Sequence, residues 1–211
     1  ASTKAYTSQL IAFYLFGIYL AQTLGTVEQA AVTELLAAMS QLPEQVESVL
    51  EQSAVLKQVA ESIAKHKNLF FIGRGVDYAV AQEGSLKLKE ISYIHSEAYA
   101  AGELKHGTLA LIEDGIPVIA LVTQEELYEK TLSNIKEVKA RGAHVLGIAN
   151  AGSEAEVSKS VDELFAIPKT LPLLSPAISV IPLQLISYYA SLAVGNDVDK
   201  PRNLAKSVTV E

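Results

Sequence analysis

The chain has 211 residues, of which 49% are hydrophobic and 19% are charged, a composition typical of a globular protein and not of a disordered one. Its 24 acidic and 17 basic residues give a formal net charge of -7, which argues against a nucleic acid partner because phosphate binding needs clustered basic side chains. There is no cysteine, which excludes disulfides, thiolate metal sites and thiol nucleophiles.

The first 66 residues are predicted to be helical. Gly25 marks a stop, Pro43 suits a first helical turn, and Ser53 is a candidate N-cap. The apolar run at 10–21 is too short to cross a bilayer, so we expect a buried helix, packed on another domain or on a second subunit because its aromatic residues point to several faces. The predicted helices are 3–24, 27–39, 43–50 and 53–66.

The pattern then changes to short apolar runs that alternate with helical segments. Such alternation is typical of an α/β protein with a three-layer αβα arrangement around a parallel sheet, the architecture of Rossmann-like and flavodoxin-like domains. The predicted strands are 69–73, 117–122, 144–149 and 164–167, and the predicted helices are 78–94, 125–141, 154–160 and 173–194. Residues 197–211 are polar and irregular.

Three loops follow strands, where parallel sheets bind ligands. The Gly73-Arg74-Gly75 turn has Tyr78 where a dinucleotide motif needs its third glycine, so we interpret it as a tight turn. The loop at 123–126 contains two glutamates that would repel a phosphate, and the small residues at 150–153 are followed by further glutamates. We therefore expect no phosphate site in these loops.

Glu83, Lys87 and Glu90 form the most informative charged pattern. On a helix they fall within a sector of roughly 60° that borders the apolar face, where partial desolvation can tune their pKa values. From the spacing alone, an exposed ladder of i,i+3 and i,i+4 ion pairs is the more common outcome. The pattern thus indicates a catalytic surface or a solvated charge stripe.

Two longer segments, GRGVDYAVAQEGSLKLKEISYIHSEAYAAGELKHG and DVDKPRNLAKSVTVE, resemble the isomerase part of the glucosamine-6-phosphate synthases, the glutamine:fructose-6-phosphate aminotransferases. The resemblance covers essentially the whole chain and points to the second of that family's two sugar isomerase (SIS) domains. It implies a helical segment at 1–66 that links from the first SIS domain, an SIS domain at 67–195 and a catalytic tail at 196–211. It also implies a cytoplasmic homodimer without metal or redox cofactor.

The same resemblance implies a reaction in which ammonia from glutamine and fructose 6-phosphate yield glucosamine 6-phosphate. Glu90 corresponds to the base that moves a proton between C1 and C2, and Lys87 to the lysine that stabilises developing oxyanion charge. Glu83 corresponds less closely, either to a group that orients the other two or to a simple ion-pair partner of Lys87.

The remaining implied site residues lie outside the helix. His106 corresponds to a histidine that opens the sugar ring in the neighbouring subunit's site, although a lone histidine in such a turn is more often structural. Lys206 corresponds to a lysine proposed to form an imine with the keto sugar. Ser2 and Ala205 match sugar-contacting positions, and Arg202 and Asn203 are expected to anchor the tail.

The family's glutaminase uses a cysteine nucleophile that this chain lacks, and its phosphate loop belongs to the first SIS domain. We therefore expect the chain to need those parts as partners and to be inactive without them. Two alternatives stay open, a sugar-phosphate deglycase or deaminase and a sugar-phosphate sensor without turnover. No membrane association is expected.

Overall fold

The computed structural model describes residues 1–204, which form seven α-helices and five strands. All neighbouring strands pair in parallel, in the order β2-β1-β3-β4-β5. The helices are α1 Lys4–Thr23, α2 Gln29–Glu51, α3 Ser53–Ile63, α4 Val76–Ser92, α5 Tyr128–Lys139, α6 Glu154–Val157 and α7 Ser175–Ala193. The strands are β1 Asn68–Gly73, β2 His95–Ala100, β3 Pro117–Val122, β4 His144–Asn150 and β5 Glu163–Ile167.

Two apolar clusters cover the two faces of the sheet, which confirms the αβα layering. Because side chains alternate along a strand, Phe71 of β1 joins the cluster with α2, α3, α4 and α7, while its neighbour Phe70 joins the cluster with α5 and α6. We call these the α7 side and the α5 side. Helix α7 lies in the centre of its side against α3 and α4.

The stretch Pro172–Ala193 is long and apolar enough to cross a membrane by length and composition. However, 72% of its most apolar window is buried inside the fold. In this structure it is the central helix of the core.

Several local predictions were wrong. A single helix, α2 at Gln29–Glu51, replaces the two helices predicted at 27–39 and 43–50, because α2 continues through Pro43 with Leu42 and Val49 buried on either side of it. Ser53 is the first residue of α3, and the N-cap position is occupied by Gln52. The helix predicted at 125–141 begins with a separate 3-10 turn at Glu125–Leu127, and the one at 154–160 ends at Val157.

Two further differences concern whole elements. Strand β2 was not predicted, and it pairs with β1 along its full length, from Asn68 with His95 to Gly73 with Ala100. Helix α1 exists as predicted but is not buried within the described residues, where Ile18 is its one buried side chain.

Candidate functional site

Glu83, Lys87 and Glu90 lie on α4 and form a single ionic cluster. Lys87 Nζ contacts Glu90 Oε2 and lies 3.7 Å from Glu83 Oε1. The Lys87 side chain is only 5% exposed, against 12% for Glu83 and 23% for Glu90. The spacing therefore produces a partly desolvated cluster and not the solvated ladder of the alternative interpretation.

Close packing holds α4 in place. A Cβ on Gly84 would lie 2.5 Å from Leu183 Cδ1 and 3.1 Å from Phe71 Cε1, so the glycine allows α4 to approach both α7 and β1. Ser85 Oγ is 3.1 Å from Ser96 Oγ, which connects the helix to β2. The cluster is thus held on a rigid element.

Burial has the largest effect on the Glu83 carboxyl. It raises the pKa of the Glu83 carboxyl, with the charge of Lys87 acting in the opposite direction and that of Glu90 adding to the rise. The pKa of Tyr6 is also raised, first by burial and then by the negative charge of Glu83. Tyr6 belongs to α1, so this helix lies near the edge of the cluster. A carboxyl whose pKa is raised by burial is a candidate proton donor or acceptor.

The C-terminal end of α4 is tied to the segment that follows α7. Asn196 Nδ2 donates to the carbonyls of Ile91 and Ser92, each at 3.1 Å, and thereby satisfies acceptors at the helix end. Arg202 N–H donates to Tyr93 Oη at 2.7 Å, and its guanidinium lies 4.1 Å from the centre of the Tyr93 ring. Arg202 therefore anchors the described part of the tail beside the end of the helix that bears Glu90, as predicted for this residue.

His106 lies apart from the cluster. The 3-10 segment Ala101–His106 packs on the α5 side of the sheet through Ala101 and Leu104, whereas the cluster belongs to α4 on the α7 side. The His106 side chain is 66% exposed, and its Nε2 is 3.7 Å from Glu103 Oε2. Within residues 1–204 no hydrogen bond or ion pair joins His106 to Lys87 or Glu90.

The structure says less about the other predicted site residues, Ser2, Ala205 and Lys206. Ser2 is exposed ahead of α1. Ala205 and Lys206 lie outside the described residues. In the part of the chain from 1 to 204, no group of three or more His, Cys, Asp or Glu side chains has an arrangement that could hold a metal ion.

Sequence reasoning missed a buried polar network at the carboxyl ends of β1 and β3, where the strand order reverses. Asp77, 2% exposed, accepts a hydrogen bond from Thr123 N–H at 2.8 Å and another from the Thr123 hydroxyl. Ser175 Oγ donates to Thr123 Oγ1 at 2.6 Å, and Asn150 Nδ2 donates to Thr123 O at 2.8 Å. The Asp77 carboxylate thus already accepts the hydrogen bond from the Thr123 backbone N–H, which a bound anion would need.

These features place the chain in a general class, the three-layer α/β domains with a parallel sheet and a polar site beside it. More narrowly, the chain belongs to the SIS domain family, whose model matches residues 62–194.

Relatives of known name support a closer relationship. The chain is 59% identical over its full length to the glutamine–fructose-6-phosphate aminotransferase (isomerizing) of Clostridium tetani, of which it covers 34%. It thus spans about a third of the length of the curated relatives it matches.

Among solved structures, the C-terminal domain of glucosamine-fructose-6-phosphate aminotransferase from Francisella tularensis superposes with a TM-score of 0.91 at 37% identity, over 95% of this chain and 57% of that one. A glucosamine-6-phosphate deaminase from Thermotoga maritima has a TM-score of 0.71 at 24% identity, over 100% of this chain and 58% of that one. The second likeness concerns the fold alone.

Proposed function

We propose that this chain is the second SIS domain of an enzyme that makes glucosamine 6-phosphate from fructose 6-phosphate and glutamine-derived ammonia. The observation that carries the proposal is the buried Glu83–Lys87–Glu90 cluster. Burying an ammonium group between two carboxylates contributes little to stability, so a chemical role explains it better than a structural one. The full-length similarity to named aminotransferases supports the same conclusion.

In the proposed reaction, ammonia replaces the C2 carbonyl oxygen of the open-chain sugar and water leaves. Glu90 then removes a proton from C1 and returns one to C2, which converts the C2 imine through an enolamine into a 2-amino aldose. Lys87 stabilises the oxyanion that develops beside the reacting carbons. Glu83 orients Lys87.

Two further groups complete the proposal. His106 opens the sugar ring in the site of a second subunit, which agrees with its exposure and with its position on the opposite side of the sheet. Lys206 first condenses with the C2 carbonyl to form an imine, which is the step that releases water, and ammonia then displaces the Lys206 amine from C2. Ser2 and Ala205 are sugar contacts. The working enzyme is then a homodimer in which the first SIS domain supplies the phosphate site and the glutaminase supplies ammonia.

The domain organisation follows from this proposal. Residues 1–66 link from the first SIS domain, 67–195 form the second, and 196–211 form the catalytic tail. The cytoplasm is the proposed location.

A binding experiment tests the divided site. The chain is titrated with fructose 6-phosphate and with glucosamine 6-phosphate by calorimetry, with and without the first SIS domain of a Clostridium tetani relative added in trans. Binding that requires the added domain supports the proposal. Tight binding by the chain alone favours a sensor, and turnover of fructose 6-phosphate plus ammonia by the chain alone contradicts the division of the site.

A substitution separates the alternatives. In a full-length chain with this domain, Glu90→Gln should abolish isomerisation while ligand affinity is retained, because the amide keeps the shape but cannot take a proton. A sensor would show no turnover in either form. A deaminase would release ammonia from glucosamine 6-phosphate without any response to glutamine.

A further inference from the structure

Arg74, the central residue of the Gly-Arg-Gly turn, makes contacts that a tight turn does not need. Its Nε donates a hydrogen bond to Asn134 Oδ1 on α5 at 3.0 Å. Asn134 is 7% exposed, and its Nδ2 donates to Glu137 Oε1 at 3.3 Å. Both ends of the Asn134 amide are therefore engaged, which fixes its orientation and the direction of the arginine.

The guanidinium of Arg74 also lies against Gly102. A Cβ built on Gly102 would be 2.5 Å from Arg74 Nη2 and 3.2 Å from Cζ. Gly102 is not among the glycines with positive φ, so its backbone would accept any residue. A side chain at this position would instead have to displace the guanidinium.

Gly102 belongs to the segment Ala101–His106, which is short and lacks the hydrogen bonds of an α-helix. Ala101 and Leu104 anchor it in the α5-side core, whereas Glu103, Lys105 and His106 are exposed. Arg74 packs over the segment between these two anchors. It thus connects the end of β1, the middle of α5 and the segment that carries His106.

We propose that Arg74 is a positioning residue that holds segment Ala101–His106 against α5 and thereby sets where His106 is presented. Only the consequence for catalysis rests on the proposed function. The positional part depends on the contacts of Arg74 alone.

Hydrogen exchange measured by mass spectrometry tests the positional part. Arg74→Ala should speed the exchange of amides in 101–106 by about tenfold, because the segment loses its contact with a guanidinium that is hydrogen-bonded to Asn134 on α5. Arg74→Lys should be intermediate, because lysine keeps the charge but not the planar fork. Arg141→Ala, which removes an arginine that binds the Glu137 carbonyl at the end of α5, is the matched control and should leave these amides unchanged.

The proposal is overturned if amides 101–106 exchange equally fast in the parent chain and in Arg74→Ala. It is also overturned if exchange rises equally in β4, because that pattern indicates general loss of stability.

Gly102→Ala provides a second, independent test. The added methyl should displace the guanidinium and speed exchange in 101–106 as Arg74→Ala does. In an Arg74→Ala background the same methyl should have no further effect. An equal effect of Gly102→Ala in both backgrounds contradicts the proposal.

Kinetics in a full-length chain distinguish the failure of this inference from that of the proposed function. If His106 acts in catalysis, Arg74→Ala should lower kcat with little change in KM, and Arg74→Lys should restore part of the loss. Altered exchange with unchanged kcat would keep Arg74 as the group that holds the segment and would overturn the role of His106. Unchanged exchange with reduced kcat would overturn the inference and leave that role standing.

Discussion

Lys87 is the residue on which the candidate site depends most. Its ammonium group is the cation between Glu83 and Glu90, and all three side chains are at least three-quarters removed from solvent. The helical spacing of these residues was sufficient to predict that they meet. The degree of burial could not be predicted from spacing, because it depends on how α4 packs against α7 and the sheet.

Lys87→Ala should lower the free energy of unfolding by about 3 kcal/mol near pH 7, because it leaves buried carboxylates without a counter-ion. Without Lys87, the pKa of Glu83 rises further above its usual value. The loss should therefore shrink as the pH falls and Glu83 becomes protonated. Urea unfolding of both chains at pH 5 and pH 8 measures this.

Lys89→Ala, which removes an exposed lysine from the same helix, is the control and should change stability by less than about 0.5 kcal/mol. If both variants lost the same free energy of unfolding, Lys87 would have to be part of a solvated charge stripe.

Asp77 provides a pH-dependent prediction. Burial raises the pKa of its carboxyl even though Thr123 donates two hydrogen bonds to it. A raised pKa in the folded state means that Asp77 contributes full stability below its unfolded pKa of ~3.9 and loses it as the pH rises through the folded pKa. Asp77→Asn lacks this loss.

The unfolding free energy of Asp77→Asn minus that of the parent chain should therefore increase from about pH 4 upwards and then level off. The difference is the useful quantity, since Glu83 titrates with the same sign in both chains. A difference that stays constant across this pH range would contradict the assignment.

Asp77 also shows where sequence reasoning stops at the residue scale. Its partner Thr123 is 46 residues away in the chain. An aspartate in the first turn of a helix is common because it interacts favourably with the helix dipole, and the local sequence does not show whether such an aspartate is exposed or buried. The loop at Thr123 was expected not to bind phosphate because of its glutamates. The structure adds a second physical reason, the donation of the Thr123 N–H to Asp77.

At the scale of elements, continuous apolar runs predicted four strands, and β2 was missed because HSEAYA contains no such run. An edge strand pairs on one side only, so its pattern can be polar. Similarly, Pro43 was taken as the start of a helix, although a proline can lie inside a helix that is held by burial on both sides. Local signals thus failed where tertiary contacts decided the outcome.

Gly84 makes the packing of α4 testable. Gly84→Ala should destabilise the fold by about 2 kcal/mol relative to Gly17→Ala, because its methyl would overlap Leu183 whereas Gly17 has no atom within 4 Å of an added Cβ. Both substitutions gain the same helix propensity, so the comparison isolates the overlap. Thermal or urea unfolding measures it, and equal stabilities would mean that α7 yields at no cost.

At the scale of the whole molecule, α1 presents an apolar surface. Phe13, Phe16 and Tyr19 are 69%, 58% and 64% exposed, and a groove between α1 and α2 lies beside them. An exposed surface of this kind favours association. The sequence predicted that another domain or subunit covers this helix, and that remains a prediction.

We expect the chain to self-associate at micromolar concentrations in sedimentation velocity experiments. Phe13→Ser combined with Phe16→Ser should shift it towards monomer with little change in unfolding free energy, since neither side chain is buried. Leu86→Ser, at an exposed position on α4, should not shift it. A parent chain that stays monomeric at high concentration would count against a role of α1 in dimerisation.

The position of α7 in the chain has a consequence for synthesis on the ribosome. This helix covers the centre of one sheet face, yet it follows every strand in sequence. At a translation rate of about 5–20 residues per second, the apolar faces of β1, β3 and α4 remain uncovered for several seconds until α7 has been synthesised. During that interval the nascent domain presents a hydrophobic surface on which chaperones can act, so substitutions that slow the docking of α7 should reduce the yield of folded protein before they reduce its final stability.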